Sequence, residues 1–136
     1  MGHSPLNPTQ IAASDPAEPP VLDSSVFQEL FETVAGDVDT VVSIYRTFFA
    51  SAVVLIDSLP RENCAAQAKT LHTLKGSAGM LGASRLAQMA ARLQQAAVNG
   101  GEPAPGTRIA DLANELDRVR SEALAHASAL RYRSEI

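Results

Sequence analysis

The spacing of hydrophobic residues predicts helices along most of the chain. A first short apolar stripe begins at Val26 and ends at Gly36, and Asp23 is one of the residues that can cap its N-terminus. A second, wider stripe begins after Asp37 and ends at Pro60, because proline cannot continue the helical hydrogen-bond ladder. No stretch shows the strict alternation of apolar and polar residues that is typical of a half-buried strand.

Three further helices follow. The third is predicted over about 62–81, and the fourth runs from a cap at Ser84 to a break at Asn99. Thr107 is the predicted cap of the last helix, whose apolar stripe continues to Leu130. The connecting loops are short, which favours antiparallel neighbours. The expected fold class is therefore all-α, an antiparallel up-and-down four-helix bundle with a short additional N-terminal helix.

The first 22 residues differ in composition from the rest. They contain five of the eight prolines among small and acidic residues, with no helical period. Residues 1–22 are therefore predicted to be a disordered linker or tail, and residues 23–136 to be the helical domain. Hydrophobic residues make up 46% of the chain, which is enough for one core, and Met80 and Met89 are predicted to lie in it.

Composition also excludes several classes of protein. Lys and Arg number 11 against 15 Asp and Glu, so nucleic acid is not the expected partner. The single cysteine, Cys64, cannot form an internal disulfide and lacks the neighbours of a zinc site. There is no signal peptide pattern, and the longest apolar run, 48–56, is too short to cross a bilayer. We expect a cytoplasmic domain without direct membrane contact, which can still be part of a larger membrane protein.

The third predicted helix carries an unusual second face, opposite its row of leucines. His72 lies at its centre, Lys69 and Lys75 lie one turn to either side, and Gly76 and Gly79 share the face. A glycine inside a helix costs about 1 kcal/mol relative to alanine. Two glycines around one histidine therefore predict a flat surface on which a partner can bring its backbone close to the imidazole.

The next helix adds two cations, Arg85 and Arg92, which share a face. If this helix packs antiparallel beside the third, some of these cations should border His72, and a basic rim suits an anionic group or an acidic partner site. A neutral imidazole can attack phosphorus with its free lone pair, and the reference pKa of about 6.5 leaves much of a histidine population neutral. His3 and His126 lack such a context and receive no role.

A motif in the third helix resembles the signature of histidine-containing phosphotransfer (HPt) domains: His72-x-Leu74-Lys75-Gly76-Ser77-Ala78, then Leu81-Gly82. The resemblance covers about 23–130, including the helix order. It implies that His72 is the phosphoacceptor, attacking through its outer ring nitrogen, that Lys75 assists the phosphoryl oxygens, and that Gln94 hydrogen-bonds the imidazole. Gly76 and Gly79 match positions that are kept small for docking, although many relatives have alanine or serine where Gly79 stands.

The implied function is that of a phosphorelay carrier in two-component signal transduction. One response-regulator receiver domain would supply an aspartyl phosphate and the magnesium ion, and a second receiver would take the phosphoryl group. The domain itself would need no cofactor or metal and would be a monomer. The residues expected to face the receiver are Lys69, Gly76, Gly79, Arg85 and Arg92.

Two other functions compete with this interpretation. A helical protein-interaction module that is never phosphorylated would have the same fold, but it could lose His72 or Lys75, and both are present. A complete histidine kinase is not expected, because the chain has no glycine-rich nucleotide loop and no room for an ATP-binding domain. Whether the domain is free-standing or part of a hybrid sensor kinase stays open.

Overall fold

The computed structural model describes residues 18–135, which contain five α-helices and no strand. The predicted all-α class is therefore confirmed. A 3-10 turn at Leu59–Arg61 follows the second helix and contains Pro60, so this proline lies just beyond the helix end, as expected. The helices are α1 (Ser24–Thr33), α2 (Val38–Ser58), α3 (Cys64–Met80), α4 (Ser84–Gly100) and α5 (Gly106–Glu135).

The four longer helices contact one another in a ring. Helix α2 packs against α3, α3 against α4, α4 against α5, and α5 against α2. The short α1 packs on α2 at the end of the bundle where α3 turns into α4. There Phe27 stacks on Tyr45 with ring centroids 5.3 Å apart, and Val26 lies beside Gly82. The centre of the ring is filled mainly by aliphatic residues with no exposed surface, including Val41, Leu71, Leu74, Leu86, Leu112 and Val119.

Three of the helices begin at a residue that caps its own helix. Asp23 accepts a hydrogen bond from the Ser25 N–H at the start of α1, and Asp37 accepts one from the Asp39 N–H at the start of α2. Helix α3 begins later than about residue 62, because the Asn63 side chain caps it. Hydrogen bonds from the Ser25 hydroxyl and backbone N–H lower the pKa of Asp23 below its usual value.

Helix α4 begins differently. Its N-cap residue is Ala83, which has no side-chain acceptor. The prediction that Ser84 caps this helix is wrong, since Ser84 is its first residue and its hydroxyl donates to the carbonyl of Gly82. The cap predicted at Thr107 is also displaced, because α5 already begins at Gly106.

The packed part of the chain begins before residue 23. Val21 and Leu22 are buried in the core, and the carbonyl of Pro20 accepts a hydrogen bond from the backbone N–H of Arg85. The last residues of the predicted linker therefore belong to the domain. The first 17 residues of that predicted segment lie outside the described residues.

Met80 is not a core residue, contrary to the prediction. It is the last residue of α3 and is 79% exposed. Eight residues separate it from His72, a little over two turns, so it lies on the exposed side of the helix. Met89, in contrast, is half-buried and packs against the core as expected.

The segment Val38–Arg61 is long and apolar enough to cross a bilayer by length and composition. Its apolar stripe is nevertheless packed into the bundle, with Val41, Tyr45 and Ala52 almost completely buried. A helix at the centre of a soluble core passes the same test of length and hydropathy, and we therefore interpret α2 as a core helix.

Candidate functional site

The site is built on α3, whose two faces have opposite character. Leu71, Leu74 and Ala78 have no exposed surface and fix one face of the helix in the core. His72 lies outside this buried row and is exposed. The helical period places its imidazole on the open side of α3 because the leucines on either side in the sequence must point inward.

Gln94 of α4 lies beside the histidine, where the resemblance placed it. Its side-chain nitrogen Nε2 is 3.5 Å from Nδ1 of His72, at the outer limit of hydrogen-bond distance. The short turn between α3 and α4 makes this approach possible. Gly82 adopts φ +78° there, and a Cβ on it would lie 2.9 Å from the Cβ of Val26, so both backbone and space require glycine.

Two cations flank the histidine along α3. Lys69 and Lys75 are the only lysines in the whole chain, and each lies three residues from His72. Lys69 is exposed, whereas Lys75 is half-buried. A lysine one turn from an exposed histidine can offset negative charge that approaches the imidazole.

The glycines beside the histidine leave open surface. Gly76 and Gly79 are exposed, and apart from the adjoining backbone of α3 and the two chain neighbours, a Cβ built on either would meet no described atom within 4 Å. The fold itself therefore does not exclude a larger residue at these positions. Their effect is instead to leave a flat surface on which a partner protein can approach His72.

Arg85 and Arg92 do not border the histidine, contrary to the expectation. They lie roughly opposite Gln94 around the axis of α4. Arg92 lines a groove together with Arg108 and Asp111 of α5. The Arg85 side chain donates instead to the carbonyl of Pro19. The sequence showed that the two arginines share a face, but not that this face turns towards α5 and away from α3.

Sequence reasoning missed the residue that anchors the first half of α3. Gln67 is 1% exposed. Its Nε2 donates to the carbonyl of Leu59 at 2.8 Å, and its Oε1 accepts from the N–H of Ala104 at 2.8 Å. This amide ties α3 to the 3-10 turn that precedes it and to the loop between α4 and α5. A glutamine in an alanine-rich helix gives no signal of burial, because only the tertiary contacts supply its partners.

Residues 18–135 contain no group of three or more His, Cys, Asp or Glu side chains arranged to hold a metal. The half-buried Cys64 begins α3 and is a free thiol.

The residues around His72 offer a nucleophilic nitrogen, a nearby amide and two cations along α3. These are the groups that a group-transfer site needs, and here they stand on an all-helical scaffold.

The family model of the Hpt domain matches residues 43–122, more than half of the chain. The chain therefore belongs to the Hpt domain family, whose members carry phosphoryl groups on histidine in two-component signalling and are not ATP-dependent kinases. The matched span contains His72, Lys75 and Gln94. Neither a curated protein nor a solved structure matches the chain.

Proposed function

We propose that this chain is a phosphorelay carrier that accepts a phosphoryl group from a receiver-domain aspartate onto His72 and passes it to the aspartate of a second receiver. The observation that carries the proposal is the exposed imidazole of His72, held beside Gln94 on a glycine-flanked face of α3. An attacking nitrogen must reach a phosphorus atom bound to another protein, and only an open face permits that approach.

Gln94 contacts Nδ1, so Nε2 is the nitrogen left for attack. A neutral imidazole carries its proton on one nitrogen and its lone pair on the other. If the amide oxygen of Gln94 accepts from Nδ1–H, the lone pair lies on Nε2, whereas an amide nitrogen that donates to Nδ1 fixes the opposite tautomer. The two ends of the amide have nearly the same shape, and a half-turn exchanges them. We assign the oxygen-to-Nδ1 arrangement to the reactive state.

In the transfer step, the Nε2 lone pair of His72 forms the N–P bond as the bond between phosphorus and the aspartyl oxygen breaks. The electron pair of the broken bond returns to the receiver carboxylate. Lys75 offsets charge on the phosphoryl oxygens, and the receiver partner supplies the magnesium ion. Transfer to the second receiver reverses these steps, with its aspartate as the nucleophile.

The proposed docking surface consists of Lys69, Gly76 and Gly79. Lys69 faces solvent on the same side as His72 and suits an acidic partner site, while the glycines allow close approach. We further propose that the four long helices run alternately up and down, and that the domain works as a cytoplasmic monomer, either free-standing or within a hybrid sensor kinase.

A two-stage transfer assay tests the relay. The chain is incubated with a panel of phosphorylated receivers, re-isolated, and then mixed with unphosphorylated receivers. We expect acid-labile, base-stable label on the wild type, none on His72→Ala, and movement of the label to a second receiver. If the wild type stays unlabelled with every receiver but binds one of them, the chain is an interaction module instead.

A further inference from the structure

A short segment at the N-terminal end of the described chain is bound to the start of α4. Residues 18–22, here called the strap, meet Arg85 at two successive carbonyls. The backbone N–H of Arg85 donates to Pro20 and its Nε donates to Pro19, both at 3.0 Å. Its Nη2 lies 3.6 Å from the Glu18 carboxylate. One arginine therefore binds the strap through both its main chain and its side chain.

Helix α4 depends on this segment for its N-terminal hydrogen bonding. The first N–H groups of any α-helix lack partners within the helix. Helices α1, α2 and α3 satisfy them with the side chains of Asp23, Asp37 and Asn63. The N-cap of α4 is Ala83, which has no acceptor, and the Pro20 carbonyl takes the N–H of Arg85 instead. The strap is thus a cap supplied from a distant part of the sequence.

Two further hydrogen bonds hold the turn that connects α3 to α4. The N–H of Asp23 donates to the carbonyl of Gly82 at 2.7 Å, and the Tyr45 hydroxyl donates to the carbonyl of Leu81 at 2.8 Å. These contacts fix where α4 starts relative to α3. Gln94 lies nine residues from Arg85, or about 13 Å along the helix axis. Because α4 is a continuous helix, a displacement of its first turn is carried to Gln94.

We propose that Arg85 is a positioning residue for phosphotransfer, which clamps the strap onto the first turn of α4 and thereby keeps Gln94 opposite His72. The contact between Gln94 and His72, at 3.5 Å, has little tolerance for further separation. This inference rests on the proposed carrier function. It makes Arg85 a residue that positions Gln94 through α4, and not a part of the receiver-docking surface.

The first test is the single-turnover transfer rate of Arg85→Ala at saturating phosphorylated receiver. We expect the rate to fall about fivefold, while the receiver concentration for half-maximal rate stays the same. The rate of Arg85→Lys, which keeps the charge but loses the Nε geometry, should lie between the rates of the wild type and Arg85→Ala. This variant still tests the inference if Arg85→Ala folds poorly. The matched control is Arg108→Ala, which removes an exposed arginine with a surface ion pair to Asp111 and should leave the rate unchanged.

The second test needs no phosphate. Hydrogen exchange should accelerate at the first-turn amides of α4 in Arg85→Ala, and the ring-nitrogen NMR signals of His72 should shift, while Arg108→Ala resembles the wild type. The inference is overturned if exchange and ring signals are unchanged, or if the rate at saturation is unchanged. It is also overturned if slower transfer comes only from weaker receiver binding. If the wild type accepts no phosphate, the carrier function fails, and these two signals still decide the positioning role.

Discussion

The α3–α4 hairpin and the rest of the bundle are packed with different kinds of residues. All six aromatic residues of the chain lie outside 64–100. On the other side of the bundle, Tyr45 stacks on Phe27 and contacts Phe49, and Arg120 lies over the Phe49 ring at 5.4 Å. The hairpin instead buries residues such as Leu71, Leu74, Ala78, Leu86 and Ala90.

Because of this difference, many of the residues that stabilise the fold lie apart from the face on which His72 is accessible. Aromatic rings bury a large area per residue and favour specific relative orientations. The α1–α2–α5 side of the bundle is therefore expected to contribute strongly to the stability of the fold. In the hairpin, Ala78 and Ala90 are small buried residues, and Gly76 and Gly79 leave open space on the outer face of α3. The hairpin can therefore expose His72 beside two glycines, because the aromatic residues of the other helices supply much of the large buried side-chain area.

The largest effect should come from opening the buried face of the hairpin. Leu74 has no exposed surface, so Leu74→Ala should lower the free energy of unfolding by about 2–5 kcal/mol through lost burial and a cavity. His72→Ala, two residues away on the open face, should change it by less than about 0.5 kcal/mol. Urea denaturation measures both. Equal losses would show that His72 is part of the packing.

A side chain on the open face should affect transfer and not folding. We expect Gly76→Leu or Gly79→Leu to slow phosphotransfer about tenfold, the equivalent of 1.4 kcal/mol, because the leucine obstructs the approaching receiver. Helix content by circular dichroism should be unchanged, since a Cβ at either position meets no neighbour. Gly100→Leu, at the far end of α4, is the matched control. Unchanged transfer rates in both variants would remove the flat-surface interpretation.

The aromatic side should show a specific dependence on alkaline pH. Burial, with a smaller contribution from the charge of Asp23, raises the pKa of Tyr45 from 10.0 to about 12. The folded protein therefore holds this proton more tightly than the unfolded chain. The stabilisation is fully present below pH 10 and is lost as the pH rises through about 12.

Tyr45→Phe tests this dependence. The variant loses the hydrogen bond to the Leu81 carbonyl, which should cost about 1 kcal/mol near neutral pH. Its free energy of unfolding should then fall less steeply at alkaline pH than that of the wild type. Tyr132→Phe, which changes an exposed ring, should keep the wild-type slope. A slope that Tyr45→Phe leaves unaltered would contradict the assignment.

The smallest effect should appear at acid pH at the start of α1. Since the pKa of Asp23 is lowered in the fold, its stabilisation is present above the ordinary value of 3.8 and is lost as the pH falls below it. Asp23→Asn keeps a capping side chain but cannot titrate, so its stability should decline less steeply in this range. Asp57→Asn, at an exposed position near the end of α2, is the control. Parallel acid titrations of stability for Asp23→Asn and the wild type would contradict the prediction.

The features that the sequence predicted correctly are those with local causes. Apolar spacing determined the helices, and Pro60 and Gly82 marked where two of them end. The exposure of His72 followed from Leu71 and Leu74, whose spacing turns the opposite face of α3 towards the core. Each of these features depends on residues within one or two turns, which a single sequence displays directly.

The features that were wrong depend on distant contacts. Ser84 has the right chemistry for a cap, but the strap supplies the acceptor from more than sixty residues away in sequence. Met80 is apolar, but its side chain lies on a side of α3 that the described part of the chain leaves exposed. Arg85 and Arg92 share a face, yet the direction of that face depends on how α4 packs between α3 and α5. Spacing along one helix cannot determine these outcomes.

The most direct test of the central claim is to locate the phosphoryl group by fragmentation mass spectrometry after transfer from a receiver. The sample should be kept at neutral or alkaline pH, because the N–P bond of phosphohistidine is acid-labile. We predict that the added phosphate lies on His72 alone among the three histidines of the chain. Phosphate on His126 or on a hydroxyl side chain, with His72 unmodified, would contradict the assignment of the site.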